Sequence, residues 1–587
     1  MPSPETSRQR SRFSTITKYL KGYRWYLVIG SIAVLFANGL LLVNPYLTKV
    51  IFDKLKEGDS MSQVGLLVLA MIGLAVLGGA FRFAMRRSII WMSRLIEYDL
   101  RNELFAHLLS MPPSFYDRTR TGDIMARTTN DLEAVRMMIG PAIMQLTNTI
   151  IVAAGALTMM VVLSPRLTMY ALLPAILLPF VMHRLGNLVH KVFTKIQEHF
   201  SQLTAVAQEN LAGVRVVKAY RQEASENDNF SNLSQKYLRL NLSLGKLQAL
   251  FLPLIQLIAT GLVLVVLYFG GREVIQGKTE LSTIVAFFMY LGMLTWPLLA
   301  VGWVVSLYQR GTASLDRINN ILFTESEIVN GNGDLKKERI KGKIEFRHLT
   351  FAYEKTTVLH DITLTLQPGE TLGVVGMTGS GKTTLVSLLA RLYPVERGHI
   401  FIDDTDLNDW DLASLRRQIG FAAQEPFLFS ATVAENIAFG SDDVNTELVE
   451  ETAVTAALAK DIESFPARYE TTVGERGITL SGGQKQRTAI ARAIAVDPSI
   501  LVLDDATASV DTETEFEINQ RIQARTRKLT TVIVSHRVAS VKEADQIIYL
   551  EEGRIVEHGR HADLLTLGGR YAELYHSQLL AEEIEKL

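Results

Sequence analysis

A chain of 587 residues with 60 Lys and Arg against 61 Asp and Glu carries a formal net charge of −1, which argues against a broadly basic nucleic-acid binder. The lack of any Cys excludes disulfide scaffolds, thiolate zinc sites, iron–sulfur clusters and cysteine catalysis. With 48% hydrophobic residues, 21% charged residues and a mean hydropathy of +0.17, part of the chain is expected to lie in lipid.

Residues 1–25 are polar and basic (Arg8, Arg10, Arg12, Lys18, Lys21, Arg24) and contain no short apolar core ending in small residues, so they read as a cytosolic lead-in and not a cleaved signal. Residues 26–52 are almost uncharged, and a rise of about 1.5 Å per residue makes them long enough for a hydrocarbon layer of about 30 Å. Similar stretches at 64–83, 141–163, 167–182, 251–271 and 281–305 predict six spans in all. The loops at 53–61, 164–166 and 271–280 are short, whereas 82–140 and 183–250 are long and rich in Arg and Lys. Positive-inside bias therefore places both long connections and both termini in the cytosol.

Within those connections, 89–109, 130–138 and 191–211 keep helical apolar periodicity mixed with charge, as membrane helices continuing into water would. The turning points at 114–123 (SFYDRTRTGD) and 210–223 (NLAGVRVVKAYRQE) expose aromatic and charged side chains suited to docking on another domain; ordinary solvated loops are the competing reading. The spans also carry Met159, Met160, Phe287, Phe288, Met289, Met293, Trp296 and Trp303, with Asn38, Asn148 and Gln256. These suit an adaptable pocket for hydrophobic small molecules or plain helix packing, so no substrate contact is assigned. The expected organisation is a helical transmembrane domain over 26–322, a polar linker over 323–343 (with NGNGDLKKERIKGK), and an α/β domain with a largely parallel sheet over 344–587.

The α/β part holds the sharpest motif. Gly376-Met-Thr378-Gly379-Ser380-Gly381-Lys382-Thr383 follows a strand at 371–375 and opens a helix at Thr384, the Walker A arrangement. Backbone N–H groups there wrap phosphate oxygens, Lys382 supplies a point charge to the outer phosphates, and the Thr383 hydroxyl suits magnesium. These residues predict nucleotide binding. A second apolar strand ends in Asp504 and Asp505, where a magnesium-organising carboxylate belongs, and His536 follows a third apolar strand at 531–534. Leu480-Ser481-Gly482-Gly483-Gln484 forms another anion-binding device at a helix start, with no obvious phosphate of its own to hold.

Taken with the order of six spans, linker and nucleotide domain, and with TGDIMARTTNDLEAV in the first long connection, these motifs resemble a half-transporter of the ABC exporter family (type IV, multidrug/lipid) over nearly the whole chain. The resemblance implies head-to-tail domain pairs, with ATP and Mg2+ held between one phosphate loop and the signature loop of the opposite domain. It implies that Tyr353 stacks on adenine, that Gln424, Thr383 and Asp504 serve the metal, that Gln424, in the loop linking the γ-phosphate to the membrane domain, also takes part in catalysis, that Asp511 lies between the two sites and that His536 is the switch histidine. It also implies short coupling helices at the two turning points and a multi-pass protein of the plasma (bacterial cell) membrane.

One position departs from the family pattern. Most hydrolysing members have Glu after the magnesium-organising Asp, as general base; here Asp505 is one methylene shorter. Its carboxylate would fall roughly 1.5 Å short, and misplacement by about 1 Å can cost on the order of 100-fold. The change resembles the degenerate-site subunit of heterodimeric bacterial multidrug exporters, in which LSGGQ stays intact to complete the partner's site. The expected function is ATP-driven export of hydrophobic or amphipathic compounds by a heterodimer whose other half carries the Glu. The alternatives are an adjusted backbone that lets Asp505 act as base, a homodimeric lipid or peptide exporter, and a regulatory ATP-binding subunit or ATP-gated channel.

Overall fold

The computed structural model describes residues 13–175, 177–330, 339–441, 444–474, 480–525 and 529–585. Two compact units emerge: Met1–Leu108 with Gly122–Thr324, and Leu109–Thr121 with Glu325–Leu587.

The first unit is helical. Among the described residues, five helical passages are long and apolar enough to cross a membrane: Arg24–Glu57, Met61–Ser110, Thr121–Leu163, Gln256–Ile275 and Leu281–Leu322. The expected fourth span, 167–182, falls partly outside the described residues; helices Pro165–Ala175 and Leu177–Ala212 are its described parts. Met61–Ser110 has 50 residues, about 75 Å at the α-helical rise, well beyond an apolar layer of about 30 Å. Leu66, Leu69, Ile72 and Val76 are exposed along it, a contiguous apolar stripe suited to lipid.

The passage Thr121–Leu163 contains two π-helical turns, Arg127–Asp131 and Met138–Ala142. Pro141 lies in the second, where a wider turn accommodates its missing N–H. Two buried polar clusters involve residues in the first of these turns and between the two. The buried Asp131 accepts from Arg317 Nε (2.8 Å) and Ser314 (2.9 Å), and the buried Glu97 pairs with Arg136 (3.2 Å), Arg101 and Arg94. A buried charge without its partner is strongly destabilising, so these pairs specify which helices meet.

Of the side chains considered for an adaptable pocket, Met160 and Phe287 are wholly buried in a core with Tyr290, whose hydroxyl donates to the Leu42 carbonyl (2.8 Å). Trp296 and Trp303 are exposed. Asn38 donates to Val34 O of its own helix (3.0 Å), which satisfies the amide without any cavity.

The second unit has two sheets. A four-stranded antiparallel sheet, in the order β2-β1-β4-β5, uses β1 (Ile344–Tyr353), β2 (Thr356–Leu366), β4 (Ile400–Ile402) and β5 (Thr405–Asp406). A six-stranded sheet, in the order β10-β9-β3-β8-β7-β6, is parallel except for its edge strand. It comprises β3 (Thr371–Val375), β6 (Ile419–Ala422), β7 (Ile500–Asp504), β8 (Thr530–Val534), β9 (Gln546–Glu551) and β10 (Arg554–Gly559). All five residues of β7 are buried, the unbroken apolar run expected of a central parallel strand.

The first turning point belongs to this second unit as far as Thr121. Its helix Pro113–Arg118 is held by Ser114 to Glu327 (3.0 Å), by Arg118 to Glu327 (3.2 Å) and Glu354 (3.0 Å), and by Tyr393, which donates to Asp117 (3.0 Å). Burial raises the Tyr393 hydroxyl pKa, and the carboxylate it bonds raises it further. At the second turning point, helix Val214–Ala219 buries no residue, and Leu211, Val216 and Tyr220 are all exposed.

Close helix approach in the first unit rests on glycine. A Cβ on Gly311 would lie 2.4 Å from the Cβ of Met138, whereas one on Gly302 of the same helix would meet nothing within 4 Å. Gly311→Ala should therefore destabilise the purified transporter by about 1–3 kcal/mol, as overpacking does, and Gly302→Ala should not. Thermal unfolding of the two variants in the same lipid discs checks this.

Candidate functional site

Strand register builds the site. Val374 of β3 lies beside Val534 of β8, and Val534 beside Asp504 of β7, so the loops leaving these three strands share one sheet edge. In an open parallel sheet that carboxyl edge is where ligands bind.

The loop after β3 depends on three glycines with positive φ: Gly376 (150°), Gly379 (83°) and Gly381 (99°). A Cβ at Gly376 would lie 2.1 Å from the Leu550 carbonyl oxygen, so no other residue fits there without backbone displacement. The helix Lys382–Leu389 begins two residues earlier than the expected Thr384, because Gly381 in the left-handed region is its N-cap and already accepts from Leu385 N (3.0 Å). Lys382 thus opens the helix with its side chain folded over the loop, where Nζ donates to Gly376 O (2.9 Å) and Met377 O (2.8 Å) and lies 3.4 Å from the buried Ser380 hydroxyl. Burial lowers the Lys382 pKa, and Asp505 and Asp504 oppose that shift.

Thr383 donates to Asp504 Oδ1 (3.1 Å). Asp504 is 1% exposed, and burial pushes its pKa up to about 6; Asp505 adds to the rise, while Thr383 and Lys382 pull against it. Asp505 has φ 46° and is held by its N–H to Val534 O (2.9 Å). Its Oδ2 lies 3.5 Å from Gln424 Nε2 and 4.0 Å from His536 Nε2. Thr378, Gly379, Gly381, Lys382, Thr383, Thr384, Gln424, Asp504, Asp505 and His536 line one cleft of about 300 Å³ together with Val358 and Val534.

The donor set fits a magnesium nucleotide. Two adjacent buried carboxylates, a hydroxyl and the Gln424 side-chain carbonyl are hard oxygen donors, and a bound cation would offset the burial, and then the Asp505 charge, that raise Asp504. Among the described residues no cluster of three or more His, Asp or Glu is placed to hold a metal ion. The loop N–H groups and the helix N-terminus suit the phosphates. When bound, the ion would supply charge neutralisation beside Thr383 and Asp504.

Gly376, Ser380 and Tyr353 do not line the cleft; the Tyr353 hydroxyl donates to Thr384, which does (3.2 Å), and its ring packs edge-on against Phe351 and Tyr393. The structure does not bring the signature residues to the cleft: none of Ser481, Gly482, Gly483 and Gln484 lines it. They form the start of helix Gly482–Ala495, with a reciprocal capping box between Ser481 and Gln484 and a further bond from Gln484 to Asp461 (2.9 Å). Asp511 also lies outside the cleft; it accepts from Thr514 N (2.9 Å), which caps helix Thr512–Arg525 and holds its carboxyl below the usual range.

Sequence patterns did not single out Val358, a β2 residue whose carbonyl and side chain press against Gly381, or Tyr393, which joins the Tyr353 cluster to Asp117. The only signal for Val358 was strand alternation. Tyr393 carried none, because its partners are distant in the chain.

Residues 27–298 match the ABC transporter transmembrane region and residues 359–508 match the ABC transporter family. The chain is 37% identical to the Probable multidrug resistance ABC transporter ATP-binding/permease protein YheI of Bacillus subtilis (strain 168), over 97% of this chain and 99% of that protein. It is 34% identical to the Multidrug resistance-like ATP-binding protein MdlA of Escherichia coli (strain K12), over 98% of each. It is 33% identical to an ATP-dependent lipid A-core flippase of Nitrosococcus oceani, over 98% of this chain and 97% of that one. The solved structure of a bacterial Atm1-family ABC exporter with ATP bound superposes with a TM-score of 0.78 at 26% identity, covering 94% of this chain and 98% of that one. With a helical membrane unit, a phosphate-loop cleft and full-length relatives of this kind, the chain belongs to the ABC exporters, multi-pass membrane proteins of multidrug and lipid type that couple export to an ATPase.

Proposed function

We propose that this chain is one half of a heterodimeric multidrug-type exporter that uses ATP to move hydrophobic or amphipathic compounds across the bacterial cell membrane, with both termini in the cytosol. On this reading residues 26–322 form the membrane domain and 344–587 the nucleotide domain. The chain's own ATP site binds nucleotide and turns over slowly. The observation that carries the reading is Asp505, whose short carboxylate stands where a general base belongs, beside Gln424 and His536.

Each site residue then has a task. Gly376, Thr378, Gly379, Ser380, Gly381, Lys382 and Thr384 hold the nucleotide, Thr383, Gln424 and Asp504 face the magnesium ion, and Tyr353 stacks on adenine. Asp505 and His536 orient water or the terminal phosphate, but the Asp505 arm is too short for efficient proton abstraction. Ser481 to Gln484, held by their capping box and outside this cleft, serve the partner's nucleotide, and Asp511 sits in the loop between the sites.

A partner also accounts for surfaces left bare. Along helices Leu177–Ala212 and Glu223–Ile275, Ile196 and Val266 are the buried hydrophobic residues among the described ones, and the exposed Leu211, Val216 and Tyr220 lie at the turn joining them. A second half-transporter covers them. Membership of a family that includes both multidrug proteins and lipid flippases supports an apolar or amphipathic cargo.

Purification from native membranes should recover this chain with a second ABC half-transporter carrying Glu at the corresponding position. The pair should hydrolyse ATP at least about 100-fold faster than this chain alone, and Asp505→Glu should raise turnover at the chain's own site. Vigorous turnover by a homodimer of this chain sinks the heterodimer reading and leaves a homodimeric lipid or peptide exporter.

Lys382→Ala removes the cation of the phosphate loop. ATP binding at this chain's site should weaken by at least tenfold in equilibrium binding with labelled ATP, a loss of about 1.4 kcal/mol or more.

A further inference from the structure

A buried polar network behind the cleft is used by none of the roles above. Glu515, 3% exposed on helix Thr512–Arg525, accepts through Oε1 from Thr507 (2.7 Å) and from Ser540, and through Oε2 from Arg537 Nη1 (3.2 Å). Arg537 follows His536 directly. Its guanidinium also donates to Val510 O (3.1 Å) and Ala508 O (3.3 Å), and its backbone N–H donates to Ser535 Oγ (3.0 Å). Ser535 Oγ donates in turn to Ser540 Oγ (3.1 Å), which donates to Glu515. On the other side, Gln578 donates to the His536 carbonyl (2.7 Å) and accepts from Val538 N (2.9 Å).

The loop that carries His536 is thereby tied to the loop over residues 506–511, which runs from Asp505 to Asp511. That second loop is tied onward, because Ser509 N donates to the buried Gln486 (2.8 Å) on the signature helix. Glu515 is the one carboxylate in the chain of bonds, and a buried carboxylate with three donors is costly to disturb and tightly positioned.

We infer that Glu515 is a positioning residue for ATP hydrolysis: it sets the His536 loop and the 506–511 loop in one register and thereby links the chain's own cleft to its signature helix. It touches neither phosphate nor adenine residues. Its contribution therefore lies in turnover and not in nucleotide binding.

The test uses the complete purified transporter in lipid. Glu515→Gln keeps size and loses charge, which frees Arg537; kcat should fall about tenfold while the KM for ATP stays within about twofold. Arg537→Gln should do the same. The double variant should be no worse than either single one, because both break one linkage. The network braces His536 on one side and the signature helix on the other, so the drop is read whichever site turns over, and it survives failure of the heterodimer proposal. Unchanged kcat in both single variants overturns the inference. So does a fall in kcat that comes with a matching rise in KM and loss of thermal stability, since that is what a purely structural role produces. Additive effects in the double variant overturn it as well.

Discussion

The parallel register of β7, β8 and β3 is the constraint on which the nucleotide unit depends. Val374, Val534 and Asp504 stand in one row, so the phosphate loop, the paired carboxylates and His536 emerge at one edge from strands far apart in the chain. A slip of one residue in β7 would turn Asp504 to the opposite face of the sheet and separate it from Thr383. The apolar run Ile500 to Leu503 resists that slip because both faces of the strand are buried. The chemistry at the edge is held in place by hydrocarbon behind it.

That relation explains what could be read in advance. The glycines of the phosphate loop are legible because backbone geometry dictates residue type: positive φ and a carbonyl 2.1 Å from the missing Cβ leave one choice at Gly376. Strands β3, β7 and β8 are legible because buried parallel strands read as short, largely apolar runs rich in Val, Ile and Leu. Partner choice among polar groups is not encoded that way. Glu515 looks like any acid in the first turn of a helix, and Asp117 like any loop carboxylate; their partners, Arg537 and Tyr393, lie 22 and 276 positions away. The start of helix Lys382–Leu389 was displaced for a local reason, since a left-handed Gly381 acts as cap where a polar side chain is the usual signal.

In the membrane unit the same logic fails earlier. Lipid-facing and helix-facing positions are both apolar, so periodicity does not separate them. Met160 and Phe287 turn out to be core, and Trp296 and Trp303 exposed, from indistinguishable compositions. The features that sort the helices are small or charged: Gly311 against Met138, Asp131 with Arg317 and Ser314, Glu97 with Arg136. Asn38 shows the converse, a polar residue whose partner is its own helix.

Asp505 joins these two levels. At φ 46° it occupies a backbone region that short polar residues tolerate better than longer ones, so Asp is locally the easier choice there and Glu the costlier one. An Asp there that keeps Gln424 and His536 within 4.0 Å of the carboxylate, with Lys382 and Thr383 in place, preserves the apparatus for binding nucleotide and for sensing it. On the proposed reading, the reach needed for proton abstraction is the property given up. This pattern, with the capped signature helix intact, is what the proposed division of labour requires: one chain that holds nucleotide and completes its partner's site, and one that turns over.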